Sequence, residues 1–409
     1  MINKIVFTTD LLRLQDDQYF SQHVLKWAYP LMQEQISIAS GSEIKMISND
    51  DKEFFDADKF YKLCNYDVTT ENWVNIYCKK ITQEAKDYFY SCFKDCFVIT
   101  QEAGAMRYLF EEFNIPYLDF YVSAIRFCSD LFFAYRSNVK EIREVLKKYR
   151  IPEEQFYIEA SSLKAHYNKS KEIKTNSENI LLLCGQTGVD LSLIKDGRLV
   201  NFINYKREIE TLFDEYDEIY YKPHPYANPK SENELFIRRH PAVKVVNINV
   251  YKLLSQKNIK GVAALSSGIL QEAKYFRKKV HTISHEYVTY WNNDKILDSN
   301  SFITTVNEYR NPAFWADILQ CVLPRVNKID IKILQEPNYL RKLFSFWWGY
   351  EFSNYESKIN VLKNRQVKNF EDLYTMIINR TRMFRDVRKI ISLVVPFKSL
   401  RKKIRGDFK

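Results

Sequence analysis

Glycine is scarce in this chain, whose 409 residues include only nine. The phosphate-binding loops of Walker and dinucleotide-binding proteins each need several closely spaced glycines, because the backbone must approach the phosphates. Nine scattered glycines cannot assemble either loop. The sequence therefore excludes both of these modes of nucleotide binding.

Cysteine is present, but in no metal-binding or disulfide pattern. The seven cysteines are odd in number and scattered. Cys92 and Cys96 lie four residues apart with no second ligand pair near them, so buried free thiols in a reducing compartment are the better interpretation. Asp56 and Asp58 have the spacing of a metal-binding Asp-x-Asp motif but lie in a charged loop, 49–59. We therefore expect neither a metal nor another cofactor.

Long hydrophobic runs are also missing. No stretch approaches the roughly 18 apolar residues that a membrane span needs. The first ten residues predict a strand, and Asp10 interrupts the apolar region that a signal peptide requires. We therefore expect a cytoplasmic protein.

Apolar and aromatic residues, by contrast, are abundant: the chain is 46% hydrophobic, with 28 Tyr and 28 Phe. This composition excludes a disordered protein, and the length allows two core-forming domains. Short apolar strands alternate with helical patterns, which predicts an α/β fold. We predict a Rossmann-like domain over 1–165, a linker over 166–178, a second Rossmann-like domain over 179–330, a helical extension over 331–379 and a basic amphipathic tail over 380–409.

The positive charge is concentrated in that tail. The net charge of the chain is +10, and residues 380–409 contain eleven Lys or Arg and two Asp or Glu. The rest of the chain is close to neutral, so we expect no nucleic-acid-binding surface on it. Basic residues flank the apolar run 390–397, a pattern typical of a segment that lies on an anionic membrane surface. A solvated tail is the alternative.

The chain is organised around the stretch 179–225. Ile180–Cys184 and Glu218–Lys222 are short apolar runs that predict buried parallel strands, with a helix between them. Gln186, Asp190 and Ser192 follow the first strand. Ligands of open α/β sheets bind beyond the carboxyl ends of the strands, so these side chains fall where a site is expected.

His224 follows the second of these strands and lies between two prolines. The prolines restrict the backbone and hold the imidazole in a fixed direction, where it could donate to a phosphate or protonate a leaving group. A satisfied surface histidine is the alternative. For Asp190 the residues allow a nucleophile, a base or a turn-capping side chain.

A third polar cluster follows the predicted strand that ends at Leu265. Ser266, Ser267 and Gly268 stand where a helix begins, and Glu272 follows in the same motif. Backbone N–H groups, two hydroxyls and the helix dipole at one point suit a phosphate, although an ordinary serine cap is the alternative. In the first half, Glu102 follows a predicted strand next to small residues and is a candidate general acid or base.

The spacing of Gln-x3-Asp-x-Ser, Lys-Pro-His-Pro and Ser-Ser-Gly-x3-Glu-Ala resembles the bacterial capsule-polysaccharide synthesis family, and within it the retaining β-Kdo transferases. The resemblance covers residues 180–280 well and 96–137 loosely. The family often has two acidic residues where this chain has Val189 and Asp190. The element order, two Rossmann-like halves followed by a helical extension, is also that of the GT-B arrangement of glycosyltransferases.

The resemblance implies an enzyme that transfers Kdo from CMP-Kdo to a polysaccharide or glycolipid acceptor of capsule or O-antigen assembly. Asp190 would be the nucleophile, His224 would hold the CMP phosphate and Glu102 would act on the acceptor. Arg126 would bind the sugar carboxylate, with Lys222 as a second candidate. The implied donor-binding residues are Gln186, Ser192, Lys222, His224, Ser266, Ser267, Gly268 and Glu272.

Two alternatives remain open. Bacterial transferases that use CMP-sialic acid share the His-Pro and Ser-Ser motifs and add an acidic-acidic-Gly motif. Here the nearest match, residues 195–197, reads Lys-Asp-Gly and lacks the first acid, which favours Kdo as the donor sugar. The other alternative is a non-catalytic protein of the same fold that scaffolds polysaccharide assembly.

Overall fold

The computed structural model describes residues 2–348 except positions 16, 170–176, 189, 226, 285–298, 332 and 335. The predicted tail over 380–409, most of the linker and residues 349–379 of the predicted extension lie outside the described residues. In the described part, no helix combines the length and apolar character needed to cross a bilayer.

The described residues form two sheets and two small hairpins. The strands are β1 (Lys4–Thr9), β2 (Leu14–Gln15), β3 (Gln18–Tyr19), β4 (Lys45–Met46), β5 (Cys96–Gln101), β6 (Tyr117–Val122), β7 (Phe133–Ser137), β8 (Ile180–Cys184), β9 (Ile194–Lys195), β10 (Arg198–Leu199), β11 (Glu218–Lys222), β12 (Val243–Val245), β13 (Ile259–Ala264), β14 (Lys279–Thr282) and β15 (Ile303–Thr304).

Helices connect most of these strands. They are α1 (Ser21–Ser40), α2 (Ala57–Leu63), α3 (Thr70–Tyr77), α4 (Gln83–Phe93), α5 (Met106–Glu112), α6 (Lys140–Lys148), α7 (Glu153–Asn168), α8 (Lys206–Phe213), α9 (Glu232–Arg238), α10 (Val250–Ser255), α11 (Ile269–Tyr275), α12 (Pro312–Leu319) and α13 (Tyr339–Trp348).

The first sheet has the order β15-β7-β6-β5-β1-β4. Strands β4, β1, β5 and β6 are parallel, whereas β7 and β15 are antiparallel to their neighbours. Every residue of β5 is buried, because apolar clusters cover both faces of the sheet. The strand order reverses between β1 and β5, which is where an open α/β sheet forms a crevice at its carboxyl edge.

The second sheet has the order β12-β11-β8-β13-β14 and is wholly parallel. Its central strand, β8, is a run of apolar residues that is buried throughout, as expected for a strand covered by helices on both faces. The order reverses between β8 and β13, which places a second crevice after these strands. The predicted α/β fold with two Rossmann-like domains is confirmed.

Three segments pack against a different domain from the one that their position along the chain predicts. Helix α7 lies on the second sheet, although residues 1–165 were predicted to belong to the first domain. Strand β15 pairs with β7, and α12 packs on the core of the first domain, although 179–330 was predicted to be the second domain. Each segment packs where its apolar side chains are buried best. Position along the chain does not reveal which domain offers that surface.

Candidate active site

A cavity of about 310 Å³ lies between the two domains at the carboxyl ends of β8, β11 and β13. We call it the interdomain cavity. The second domain contributes most of its wall, including eight of the predicted site residues: Gln186, Asp190, Ser192, His224, Ser266, Ser267, Gly268 and Glu272. The first domain contributes Tyr121, Ala124 and Arg126. The structure thus brings three separate sequence motifs to one wall.

A directed chain of hydrogen bonds links these motifs. The side-chain amide of Gln186 donates to Ser266 Oγ at 2.9 Å, and Ser266 Oγ donates to Ser192 Oγ at 2.9 Å. Ser192 Oγ then donates to Asp190 Oδ1 at 2.8 Å. The Ser266 N–H donates to Gln186 Oε1 at 2.8 Å, which fixes the orientation of the amide. The chain holds the Asp190 carboxylate in place before any ligand arrives.

Asp190 also caps the short 3-10 turn 191–193, because its Oδ1 accepts the backbone N–H of Ser192 at 2.9 Å. Both donors therefore bond to the same carboxylate oxygen. No described residue donates a hydrogen bond to Oδ2. The turn-capping role thus uses one carboxylate oxygen and leaves the other without a described hydrogen-bond donor.

His224 follows β11 and reaches the cavity wall from a tight turn. A Cβ at Gly185 would lie 2.8 Å from the His224 backbone nitrogen, so glycine is required for the two chains to approach. Burial lowers the pKa of His224 to about 4, aided by the positive charges of Arg126 and Lys222 and opposed by Asp190. The imidazole is therefore neutral at pH 7 and is suited to donate one N–H.

The Ser266–Gly268 cluster differs from the predicted anion site. The backbone N–H and the hydroxyl of Ser266 are used by Gln186 and Ser192, so they do not converge on an open point. Ser267 Oγ accepts the N–H of Ile269 at 3.5 Å, a weak cap of α11. Ser266 therefore belongs to the hydrogen-bond chain, whereas Ser267 caps the helix. Their adjacency in the sequence does not reveal this difference.

Glu272 joins the two domains. Its Oε1 accepts the backbone N–H of Arg126 at 2.7 Å and the hydroxyl of Tyr251 at 3.0 Å. Burial raises the pKa of Glu272 to about 7, although both of these hydrogen bonds oppose the shift. Arg341, in α13, donates to the carbonyl of Arg126 at 2.5 Å and holds the same loop from the other side. The predicted donor-binding carboxylate thus positions the loop that carries Arg126.

Two predicted site residues, Glu102 and Lys222, are not among the described residues that line the interdomain cavity. Glu102 follows β5 in the left-handed region, at φ 54°, and forms an ion pair with Arg13 at 2.8 Å. Burial raises the pKa of Glu102; Arg13 opposes the shift, and Asp190 and Asp119 add to it. Glu102 therefore lies within electrostatic range of Asp190. Lys222 is the last residue of β11 and is not among the lining residues.

The sequence analysis missed seven lining residues: Tyr121, Ala124, Thr187, Val250, Tyr251, Ile269 and Gln271. Tyr121 stands near the carboxyl end of β6, and this strand-end position was the signal that could have identified it. Within the described ranges, no group of three or more His, Cys, Asp or Glu side chains could hold a metal ion.

No protein-family model and no curated protein matches the chain. Among solved structures it is similar to Thermosulfurimonas dismutans KpsC, β-Kdo 2,4-transferase, with 14% identity, coverage of 77% of this chain and 90% of that chain, and a TM-score of 0.36. It is similar to the β-Kdo 2,7-transferase of the same protein with 13% identity, 60% and 85% coverage and a TM-score of 0.31. It is also similar to the UDP-GlcNAc 2-epimerase of Methanocaldococcus jannaschii, with 12% identity, coverage of 88% of this chain and 98% of that chain, and a TM-score of 0.25. These are distant likenesses to glycosyltransferase-like and epimerase folds, too low in score to assign a family.

Proposed function

We propose that this protein is a glycosyltransferase that transfers Kdo from CMP-Kdo to a bacterial surface polysaccharide or glycolipid, with retention of configuration. One observation carries the proposal: the hydrogen-bond chain from Gln186 through two serines holds the Asp190 carboxylate at the cavity wall. A carboxylate fixed at a switch-point crevice, with one oxygen unoccupied by described donors, is suited to act as a nucleophile.

In the first step, Asp190 Oδ2 attacks the anomeric carbon of Kdo. A new carbon–oxygen bond forms as the bond from that carbon to the phosphate oxygen breaks, and CMP leaves with the electron pair. The hydrogen bonds to Oδ1 orient the carboxylate without blocking Oδ2. The resulting ester would invert the configuration once.

The neutral imidazole of His224 would stabilise the departing phosphate by donating a hydrogen bond. The negative phosphate would also raise the pKa of His224 above its value in the free protein, so that proton uptake would accompany nucleotide binding. Arg126, whose loop is held by Glu272 and Arg341, would bind the sugar carboxylate.

In the second step, the acceptor hydroxyl attacks the same carbon, the ester bond to Asp190 breaks and the configuration inverts again. Glu102 would accept the proton of the hydroxyl, a role that requires it to exchange its ion pair with Arg13 for a contact with the acceptor. Its raised pKa brings it closer to neutral pH than an exposed glutamate, which suits a general base. Two inversions give net retention.

Nucleotide binding is the first test. CMP should raise the melting temperature of the protein, while UDP and GDP should not. A shift caused by UDP or GDP but not by CMP would overturn the proposal.

The covalent step is tested by mass spectrometry after incubation with CMP-Kdo. The expected result is a Kdo adduct that maps to Asp190 and is absent from Asp190→Asn. The matched control is Asp196→Asn, in the turn between β9 and β10, where φ of 48° is tolerated by asparagine. Product formation without an adduct would count against the double displacement. Turnover of CMP-sialic acid alone would identify the other donor, and CMP binding without turnover would support the scaffold alternative.

The proposal also includes contact between residues 380–409 and an anionic membrane, near a lipid-linked acceptor. The full chain should cosediment with vesicles rich in anionic lipid, and removal of residues 380–409 should abolish this without changing CMP binding. If the full chain does not bind the vesicles at low salt, the membrane contact is wrong.

A further inference from the structure

A second cavity, which we call the side cavity, adjoins the interdomain cavity. It has a volume of about 350 Å³, and Gln186 and Thr187 line both cavities. The described residues that line it fall between 186 and 265, all in the second domain. The side cavity therefore extends the proposed donor side of the site rather than the acceptor side.

Three asparagine side chains line the side cavity with their amide oxygens already occupied. Each Oδ1 accepts a backbone N–H, at 2.9 Å for Asn201, 3.0 Å for Asn228 and 2.8 Å for Asn233. Because a backbone N–H can bond only to the oxygen of a carboxamide, these bonds fix the orientation of each amide. The three NH₂ groups have no hydrogen-bond partner among the described residues. They are donors available to a ligand.

The side cavity offers no charge to balance an ionic ligand. Among its described lining residues the one charged side chain is Glu234, and no Lys or Arg is present. Glu234 is committed elsewhere: one oxygen accepts the Tyr221 hydroxyl, and the other accepts Arg238 Nε at 2.9 Å. A phosphate or carboxylate would be desolvated here without a cation, so a neutral ligand that carries hydrogen-bond acceptors fits better.

Apolar side chains, including Leu193, Leu199, Val200 and Leu265, form much of the remaining wall. Apolar walls with a few directed donors are typical of sites for flat heterocycles. We propose that the side cavity binds the pyrimidine base of the nucleotide donor, with the asparagine NH₂ groups donating to its ring nitrogen and carbonyl acceptors. This inference rests on the proposed function, and it leaves the interdomain cavity to the phosphate and the sugar.

Asparagine-to-aspartate variants test the donors without disturbing the fold. Asn201→Asp and Asn233→Asp keep the oxygen that accepts the backbone N–H, and aspartate is as good as asparagine at a helix start. Asn204→Asp is the matched control, because its oxygen also accepts a backbone N–H, at 2.8 Å, but its side chain is exposed and lines neither cavity.

Gly188→Leu tests the cavity without a change of charge. Gly188 lines the side cavity but not the interdomain cavity, and a Cβ built there meets no described atom within 4 Å. The leucine side chain should therefore occupy the side cavity while the melting temperature of the unliganded protein stays unchanged.

The measurement is calorimetric titration of the full chain with CMP and with ribose 5-phosphate, which lacks the base. Asn201→Asp and Asn233→Asp should each weaken CMP binding about tenfold or more, as expected for a lost hydrogen bond to a buried ligand. Gly188→Leu should weaken it about as much, because the leucine takes the space of the base. Binding of ribose 5-phosphate should not change, and Asn204→Asp should behave as the unaltered protein.

The outcomes separate the two proposals. No binding of CMP by the unaltered chain would overturn the proposed function and the base assignment together. Equal CMP affinity in the cavity variants and the control would overturn the base assignment alone. An equal loss of ribose 5-phosphate binding would overturn it too, and so would loss of transfer with unchanged CMP affinity, which would mean that the side cavity holds the acceptor.

Discussion

Each domain has a crevice where the strand order reverses, but different interactions hold the polar side chains of the two crevices in place. In the second domain, Gln186, Ser266 and Ser192 lead to Asp190 through hydrogen bonds among neutral groups. In the first domain, Arg13 pairs with Glu102 at 2.8 Å. In that crevice an ion pair, rather than a chain of neutral hydrogen bonds, holds the carboxylate in place.

Buried carboxylates support the loop of the first domain. Asp119 accepts the N–H of Ala103 at 3.0 Å and pairs with Arg136 at 2.6 Å. Asp10 accepts the N–H of Ala105 at 3.1 Å, and burial raises the pKa of Asp10 to about 7. The comparison teaches that a chain of hydrogen bonds positions Asp190 on the proposed donor side, whereas ion pairs and buried carboxylates position Glu102 and its loop on the proposed acceptor side.

The largest expected effect is on the donor side. Asp190→Asn should lower the transfer rate by at least on the order of 10³-fold, because an amide is a poor nucleophile. Its affinity for CMP should remain, since asparagine retains the oxygen that caps the 3-10 turn. Steady-state kinetics and calorimetry measure the two quantities. A variant that keeps most of its activity would remove Asp190 from the mechanism, and Asp196→Asn controls for the loss of one charge.

On the acceptor side, Gly104→Ala should cost about 3 kcal/mol of the free energy of unfolding. Gly104 has a φ of +53°, and a Cβ would lie 1.8 Å from Asp10 Oδ2, so the buried carboxylate must move. Denaturant titration measures the change. Gly188→Ala is the control, because its Cβ meets no described atom within 4 Å. Equal stability of the two variants would contradict this account of the first crevice.

A smaller effect is expected within the serine pair. Ser266→Ala should cost about 1–2 kcal/mol of unfolding free energy and weaken CMP binding, because Gln186 and Ser192 both lose a hydrogen-bond partner. Ser267→Ala should cost less than 0.5 kcal/mol, on the order of other partly exposed substitutions. If the two variants behave alike in denaturant and in CMP titrations, the hydrogen-bond chain is not what holds Asp190.

The last prediction concerns the pH dependence of stability. The pKa of Glu272 rises from an ordinary 4.5 to about 7 on folding, so between these values the folded chain binds a proton that the unfolded chain has released. The stability that Glu272 contributes is therefore present below pH 4.5 and lost as the pH rises through 7. Between pH 4.5 and 7, Glu272→Gln should reduce the slope of the unfolding free energy against pH by at most about 1.4 kcal/mol per pH unit. The exposed Glu144→Gln should leave the slope unchanged, and an unaltered slope in both would refute the assignment.

Much of the fold and part of the site could be predicted from local pattern. Apolar runs such as 180–184 and 218–222 formed the expected parallel strands, because burial on both faces demands continuous apolar sequence. Asp190 and His224 consequently line one cavity. Glu102 and Lys222 do not, because a position at the end of a strand fixes the edge of the sheet but not the direction of the side chain.

The sequence by itself determined the two doubly wound sheets and the edges where polar residues gather, since the period and length of apolar runs set secondary structure and layer. Only the tertiary structure decided which polar groups satisfy one another. Ser266 finds Gln186 across 80 residues of chain, and Glu272 holds the backbone of Arg126 from the other domain. Such partners are chosen by the packing of whole domains and by the cost of burying an unpaired polar atom, and neither leaves a local trace in the sequence.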